Sequence, residues 1–253
     1  MVCSNTAGEK KLTPQDTAVS MRFCFGKLGR LKYISHLDVN RTLQRALTRA
    51  ALPLRYTEGF NPHPRMVFAL PLAVGVESTC EYLDVSFAEP IDAGEAMVRL
   101  NRELPEEMQI SEIYAPVFPF KKIGWASYEL TLWGAFEKDF PDKLASLLKS
   151  SPLIVTKRTK SGEKETDIAP FIRISAVTED IAEDGGQLVR ISARLCADNT
   201  NFLNPIYLVR AAEKYLNLCP DDAAEQNAGS SVLNFVNIRR SGVLLEDGVT
   251  VFH

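Results

Sequence analysis

Twice along the chain, over residues 21–118 and again over 125–253, apolar spacing runs in the order strand, helix, strand, strand, helix, strand. That order predicts an α+β protein of two tandem ferredoxin-like (βαββαβ) lobes with antiparallel sheets. Two further observations agree. A chain of 253 residues with 45% hydrophobic content can fill two ordinary cores. The stretch VFPFKKIG, residues 117–124, breaks the periodicity between the two runs and reads as a linker. Residues 1–20 mix Ser, Thr, Gly, Lys and Pro without a period and are expected to be a flexible leader.

In the first run, Arg22 to Phe25 alternates as a strand, Gly26 to Gly29 turns, and Leu31 to Ile34 is expected to be extended again. Ser35 followed three residues later by Asp38 is a capping-box-like start. A helix from about His36 to Ala51 follows, with Val39, Leu43, Ala46, Leu47 and Ala50 on one face and Arg41, Arg45 and Arg49 opposite. Pro53 closes it. The prolines beside His63 stiffen the loop GFNPHPR, residues 59–65, which therefore has little entropy to lose on binding. Strands over Met66–Leu70 and Glu81–Phe87, a helix over Asp92–Leu104 and a strand over Met108–Ala115 complete the run.

The second run reads as strand Ser127–Trp133, helix Asp142–Lys149, strand candidates Leu153–Arg158 and Phe171–Val177, and strand Leu188–Leu195. A helix over Pro205–Leu216, with Asn204 as its cap, and a closing strand Val232–Arg239 end it. VTKRTKSGEKET, residues 155–166, reads as an exposed hairpin turn.

Charge is concentrated. Met21 to Arg65 holds nine Lys or Arg against Asp38 and Glu58, a net +7, which leaves the rest at −10 beside a chain total of −3. A basic segment in a mildly acidic protein points to an anionic partner, nucleic acid first among them, although a solvated face has the same signature. Arg239 and Arg240 can extend such a surface if the two halves pack side by side. No apolar run reaches the length of a membrane span, so the chain reads as cytoplasmic with no membrane partner. The five cysteines are dispersed, without a CxxC pair, and no Gly-rich phosphate loop is present, so no cofactor is expected. His36 and His63 with Asp38, Glu58 or Asp84 lack the helical spacing of a metal site, and no metal is expected.

The string YISHLDVNRTLQRALTRAALPLRYTEGFNPHPRMVFALPLAVGVES, followed by EYLDVSF, resembles the bacterial radical-SAM-linked domain family, whose function is uncharacterised. Its members occur fused to, or encoded beside, radical S-adenosylmethionine enzymes. The resemblance runs from Met21 through most of the chain and implies a partner enzyme of that class. The chain lacks the cysteine triad that would hold such an enzyme's cluster, so it is not itself the radical catalyst.

Three readings stand at this point. In the first, the chain is an accessory module that binds tRNA or rRNA: Arg41, Arg45, Arg49 and Arg65 meet phosphates, Asn61 adds a polar contact, and Tyr33, Tyr56 or Phe60 stack on bases. In the second it is an RNA-processing or RNA-modifying enzyme, with His36 and His63 as acid and base and Arg65 or Lys32 stabilising phosphate charge. In the third, the same segment docks a protein without nucleic acid.

Overall fold

The computed structural model describes residues 19–134, 136–159, 162–181, 186–198, 200–216 and 235–253. The expected leader up to residue 18, and the first three residues of the expected closing strand, lie outside the described residues. In chain order the elements are β1 (Val19–Lys27), α1 (His36–Arg49), β2 (Met66–Phe68), β3 (Val76–Phe87), α2 (Ala93–Asn101) and β4 (Ile110–Tyr114). There follow β5 (Ile123–Trp133), α3 (Phe140–Leu148), β6 (Ile154–Thr159), β7 (Gly162–Asp167), β8 (Ile172–Ile181), β9 (Gln187–Cys196), α4 (Ile206–Tyr215) and β10 (Phe235–Leu245). The architecture is mixed α and β, with four helices and ten strands among the described residues and a largely antiparallel main sheet.

That sheet is continuous, in the order β4-β1-β3-β10-β5-β9-β8, with β2 also on β3. Within the first half the order is therefore β4-β1-β3-β2, and within the second β10-β5-β9-β8. The halves fuse because β3 is long enough to take two neighbours on one edge. Its start pairs in parallel with β10, Val76 opposite Ile238, while Leu83 to Val85 pair with β2. β6 and β7 form a separate hairpin rather than joining the main sheet.

Side chains alternate across a strand, and β3 divides its residues accordingly. Leu83, Val85 and Phe87 share a core with Val39, Leu43 and Leu47 of α1 and Ala96 and Leu100 of α2. Cys80 and Tyr82 join Tyr128, Leu130, Leu144 of α3 and Leu208 of α4. The two helix pairs thus close two separate cores on one continuous sheet.

Several expected elements shift for identifiable reasons. Leu31 to Ile34 is not a strand: Gly29, at φ 54°, opens a 3-10 turn over Gly29–Tyr33, and the buried Lys27 ammonium donates to the carbonyls of Lys32 and Ile34 at 3.4 and 3.1 Å. α1 ends at Arg49, before Pro53, with Ala51 in left-handed geometry at φ 50°. α3 starts two residues early because Phe140, Leu144 and Leu148 make its buried stripe. Asn204 Oδ1 accepts from the Ile206 amide, and Pro205 stands at the N-cap, one position before the helix. The 117–124 segment is fastened to the fold: Phe118 donates to the His253 carbonyl, and its own carbonyl accepts from Arg22 at 2.8 Å. Arg22 is fully buried, bidentate on Asp84, with its guanidinium over the Phe120 and Phe252 rings.

Candidate nucleic-acid interface

α1 begins with a complete capping box. The Ser35 hydroxyl accepts from the Asp38 amide, and the Asp38 carboxylate accepts from the Ser35 amide. The Ser35 hydroxyl also donates to that carboxylate, which holds Asp38 below the ordinary aspartate range. Burial of Val39, Leu43 and Leu47 anchors the helix with roughly 5–9 kcal/mol at most. Its arginines contribute none of that burial. They lie on the outer face, where Arg41, Gln44, Arg45, Thr48 and Arg49 line an open groove of about 410 Å³.

The three arginines are not equivalent. Arg49 is bound to the turn that follows α2, with its Nε 2.6 Å from the Glu103 carboxylate and its Nη2 donating to the Glu103 carbonyl at 3.0 Å. Arg41 meets Asp38 at 3.8 Å with both side chains more than half exposed. Arg45 is exposed and in no ion pair among the described residues.

The loop is a hairpin that extends the β2–β3 pairing. Tyr56 bridges Pro64, the Arg65 amide donates to the Arg55 carbonyl, and the Ser86 amide of β3 donates to that of Arg65. At the tip, His63 Nδ1 is 3.1 Å from the Thr57 hydroxyl and 3.3 Å from the Asn61 carbonyl, while Asn61 and Arg65 are exposed. Phe60 is fully exposed, and Tyr33 and Tyr56 are exposed too, so all three aromatics named as stacking candidates are available.

The structure does not bring His36 and His63 together. The His36 ring packs edge-on against Phe68, centroids 4.8 Å apart, whereas His63 belongs to the hairpin tip. Five residues of extended chain, roughly 16 Å, separate His63 from Phe68. Asp84 is engaged by Arg22, and Asp38 by Ser35, so neither joins the histidines.

One feature escaped the sequence reading. Lys27 and Arg240 are buried charges at the junction of β1, β3 and β10. Arg240 donates from both Nε and Nη2 to a single Glu81 carboxylate oxygen and from Nη2 to the Leu70 carbonyl at 2.8 Å, so it extends no anion-binding surface. Burial lowers the Lys27 pKa, with Arg240 adding to the effect and Glu81 opposing it. His36, Lys27 and Glu81 share a small, partly open cavity of about 10 Å³ with Phe25 and Phe68, about the size of one water. Beside them, Glu77 holds Arg239 at 2.8 Å and lies 3.8 Å from Lys32. Burial raises the Glu77 pKa, but Arg239, Asn237 and Lys32 together bring it below the ordinary value. The signal was available for Glu81, which alternates with Leu83, Val85 and Phe87 and so had to face inward.

Among the described residues, no helix is long and apolar enough to cross a membrane. A family described as an uncharacterized protein conserved in bacteria (DUF2344) matches residues 20–205. No curated protein matches the chain. Among solved structures, an unknown protein from Galdieria sulphuraria is similar over 88% of this chain and 97% of its own, at 15% identity and a TM-score of 0.25.

Proposed function

We propose, for a chain that belongs to the bacterial family of uncharacterized proteins DUF2344, that it is an accessory protein that binds RNA through the outer face of α1 and the 55–65 hairpin and serves a radical S-adenosylmethionine enzyme. The observation that carries the RNA part is the α1 groove. Three arginines at four-residue spacing repeat every 6 Å or so along the axis, and Arg45 is unencumbered by any acid among the described residues. The hairpin adds Arg65 and the exposed Phe60 ring, a cation and a stacking surface on one stiff loop.

The enzyme partnership is supported by the resemblance of SHLD, the basic helix and GFNPHPR, in that order, to the radical-SAM-linked domain. We also read each half as ferredoxin-like. In support, the orders β4-β1-β3-β2 and β10-β5-β9-β8 repeat one another strand for strand, with the β6–β7 hairpin inserted in the second.

The test is fluorescence anisotropy of labelled total tRNA at about 50 and about 150 mM salt, with the wild type beside the Arg41→Gln, Arg45→Gln, Arg49→Gln triple variant. Salt-sensitive binding that the variant loses while its melting temperature holds within a few degrees is the expected result. No binding by the wild type at low salt would overturn the RNA reading and turn the question to docking on the partner enzyme.

A further inference from the structure

α3 and α4 cover one face of β5, β8, β9 and β10, and no helix among the described residues covers the other. The strands alternate cleanly there. Ala126, Tyr128, Leu130, Val189, Ile191, Ala193 and Leu195 point into the core under α3 and α4. Their neighbours form cross-strand rows on the open face: Arg173, Arg194 and Ser127 in one, Ser192, Glu129 and Arg239 in the next, and Thr178, Arg190 and Thr131 in the third. Every row carries an arginine, and rows repeat every two residues, about 6.7 Å. Arg190 is paired with Asp180 at 3.0 Å and Arg239 with Glu77, and Glu129 adds one exposed acid.

The first row differs. Arg173 and Arg194 stand directly opposite each other across β8 and β9, a like-charge pair that costs stability, and neither meets a carboxylate in an ion pair among the described residues. Arg194 donates to the Gly248 carbonyl at 3.0 Å, and the Arg173 guanidinium lies 4.0 Å over the Trp125 ring. Beside Trp125 opens a pocket of about 400 Å³ reaching Lys121 and Glu246, large enough for one base. The 3-10 turn before α1 already touches this floor, with Lys32 Nζ donating to Asn237 Oδ1 at 3.1 Å.

We propose that this open face is a platform for unpaired RNA, in which the Arg173–Arg194 pair takes a backbone phosphate and a base stacks on the Trp125–Arg173 pair. Two opposed cations without an acid are relieved by one anion between them. A stacked indole and guanidinium suit a base rather than a bare polyanion, since both present a flat π surface. The proposal extends the RNA reading to a second surface and does not use the α1 arginines.

The experiment titrates the full chain with a fluorescein-labelled single-stranded oligo(A) RNA of about twelve nucleotides and follows anisotropy and tryptophan emission, since an OB-sized site spans about 4–16 nucleotides. Three proteins are compared: wild type, Arg173→Gln with Arg194→Gln, and Trp125→Phe. Binding that weakens at least about tenfold in the double variant, with a salt slope about 0.7 lower for the one lost phosphate contact, is the expected result. Tryptophan quenching in the wild type that disappears in Trp125→Phe places the base, and it needs no arginine variant to fold.

The α1 triple variant separates the two ideas. Oligo(A) binding that survives in it but fails in the double variant supports the platform even if the α1 reading is wrong. Intact tRNA binding with no oligo(A) binding, or oligo(A) binding without quenching and unaffected by the double variant, overturns the platform and leaves the α1 reading standing. Equal affinity for inorganic polyphosphate also overturns it.

Discussion

Replacing Arg45 and Arg49 singly by Gln separates binding from folding. Arg45 can take a phosphate without giving up a partner, whereas Arg49 must first leave Glu103, to which it is held by a 2.6 Å contact and a second bond at 3.0 Å. Each phosphate neutralised on a single strand contributes about 0.7 to the slope of log affinity against log salt, so Arg45→Gln lowers that slope by about 0.7. Between about 50 and about 200 mM salt the wild type then loses about 2.6-fold more affinity than the variant. Arg49→Gln should change the slope less. It instead removes a half-exposed pair at about 0.5 kcal/mol, roughly 1–2 °C of melting temperature for a chain this size. Anisotropy titrations of labelled total tRNA across a salt series, beside thermal melts, read both quantities. An Arg45→Gln slope equal to wild type, or a larger slope change in Arg49→Gln than in Arg45→Gln, would refute the assignment of phosphate contact from ion-pair engagement.

Two further outcomes concern the buried charges. Arg22→Met strands Asp84 beside the Phe120 and Phe252 rings and should cost about 3 kcal/mol in urea unfolding, the low end for a broken buried pair because Asp84 keeps 20% exposure; adding Asp84→Leu should recover most of the loss, and a double variant as unstable as the single would show that packing rather than charge matters there. For Lys27, burial lowers the folded pKa below that of the unfolded chain, so between those values the unfolded state binds more protons and stability rises with pH. The Lys27 contribution is therefore greatest above the ordinary lysine pKa and is lost as pH falls through the lowered one; urea unfolding of wild type and Lys27→Met over a neutral to alkaline series should diverge in that window, and parallel profiles would contradict it.

Local periodicity carried much of the fold. α1 was readable because its four buried apolar positions, its Ser35–Asp38 box and its outward arginines all lie within one helical stretch. The strand alternation of β3, β5 and β9 was readable for the same reason, and the β6–β7 hairpin followed from the turn residues of the 155–166 stretch. The errors cluster where a distant group intervenes. Leu31 to Ile34 reads as a strand until Lys27 takes two of its carbonyls, and Arg240 reads as a surface cation until Glu81 meets it from 159 positions away.

Which residues line each face of each element follows from periods of 2 and 3.6, and those belong to the chain alone. What lies against a face is a different matter. That β3 would accept β10 on one half of an edge and β2 on the other, that the two halves would share one continuous sheet with a separate core under each helix pair, and that the second half's arginine rows would stay uncovered were decided only when segments far apart in sequence competed for the same strand edge. Pairing of that kind depends on which edges are free when the halves meet, and no local pattern records it.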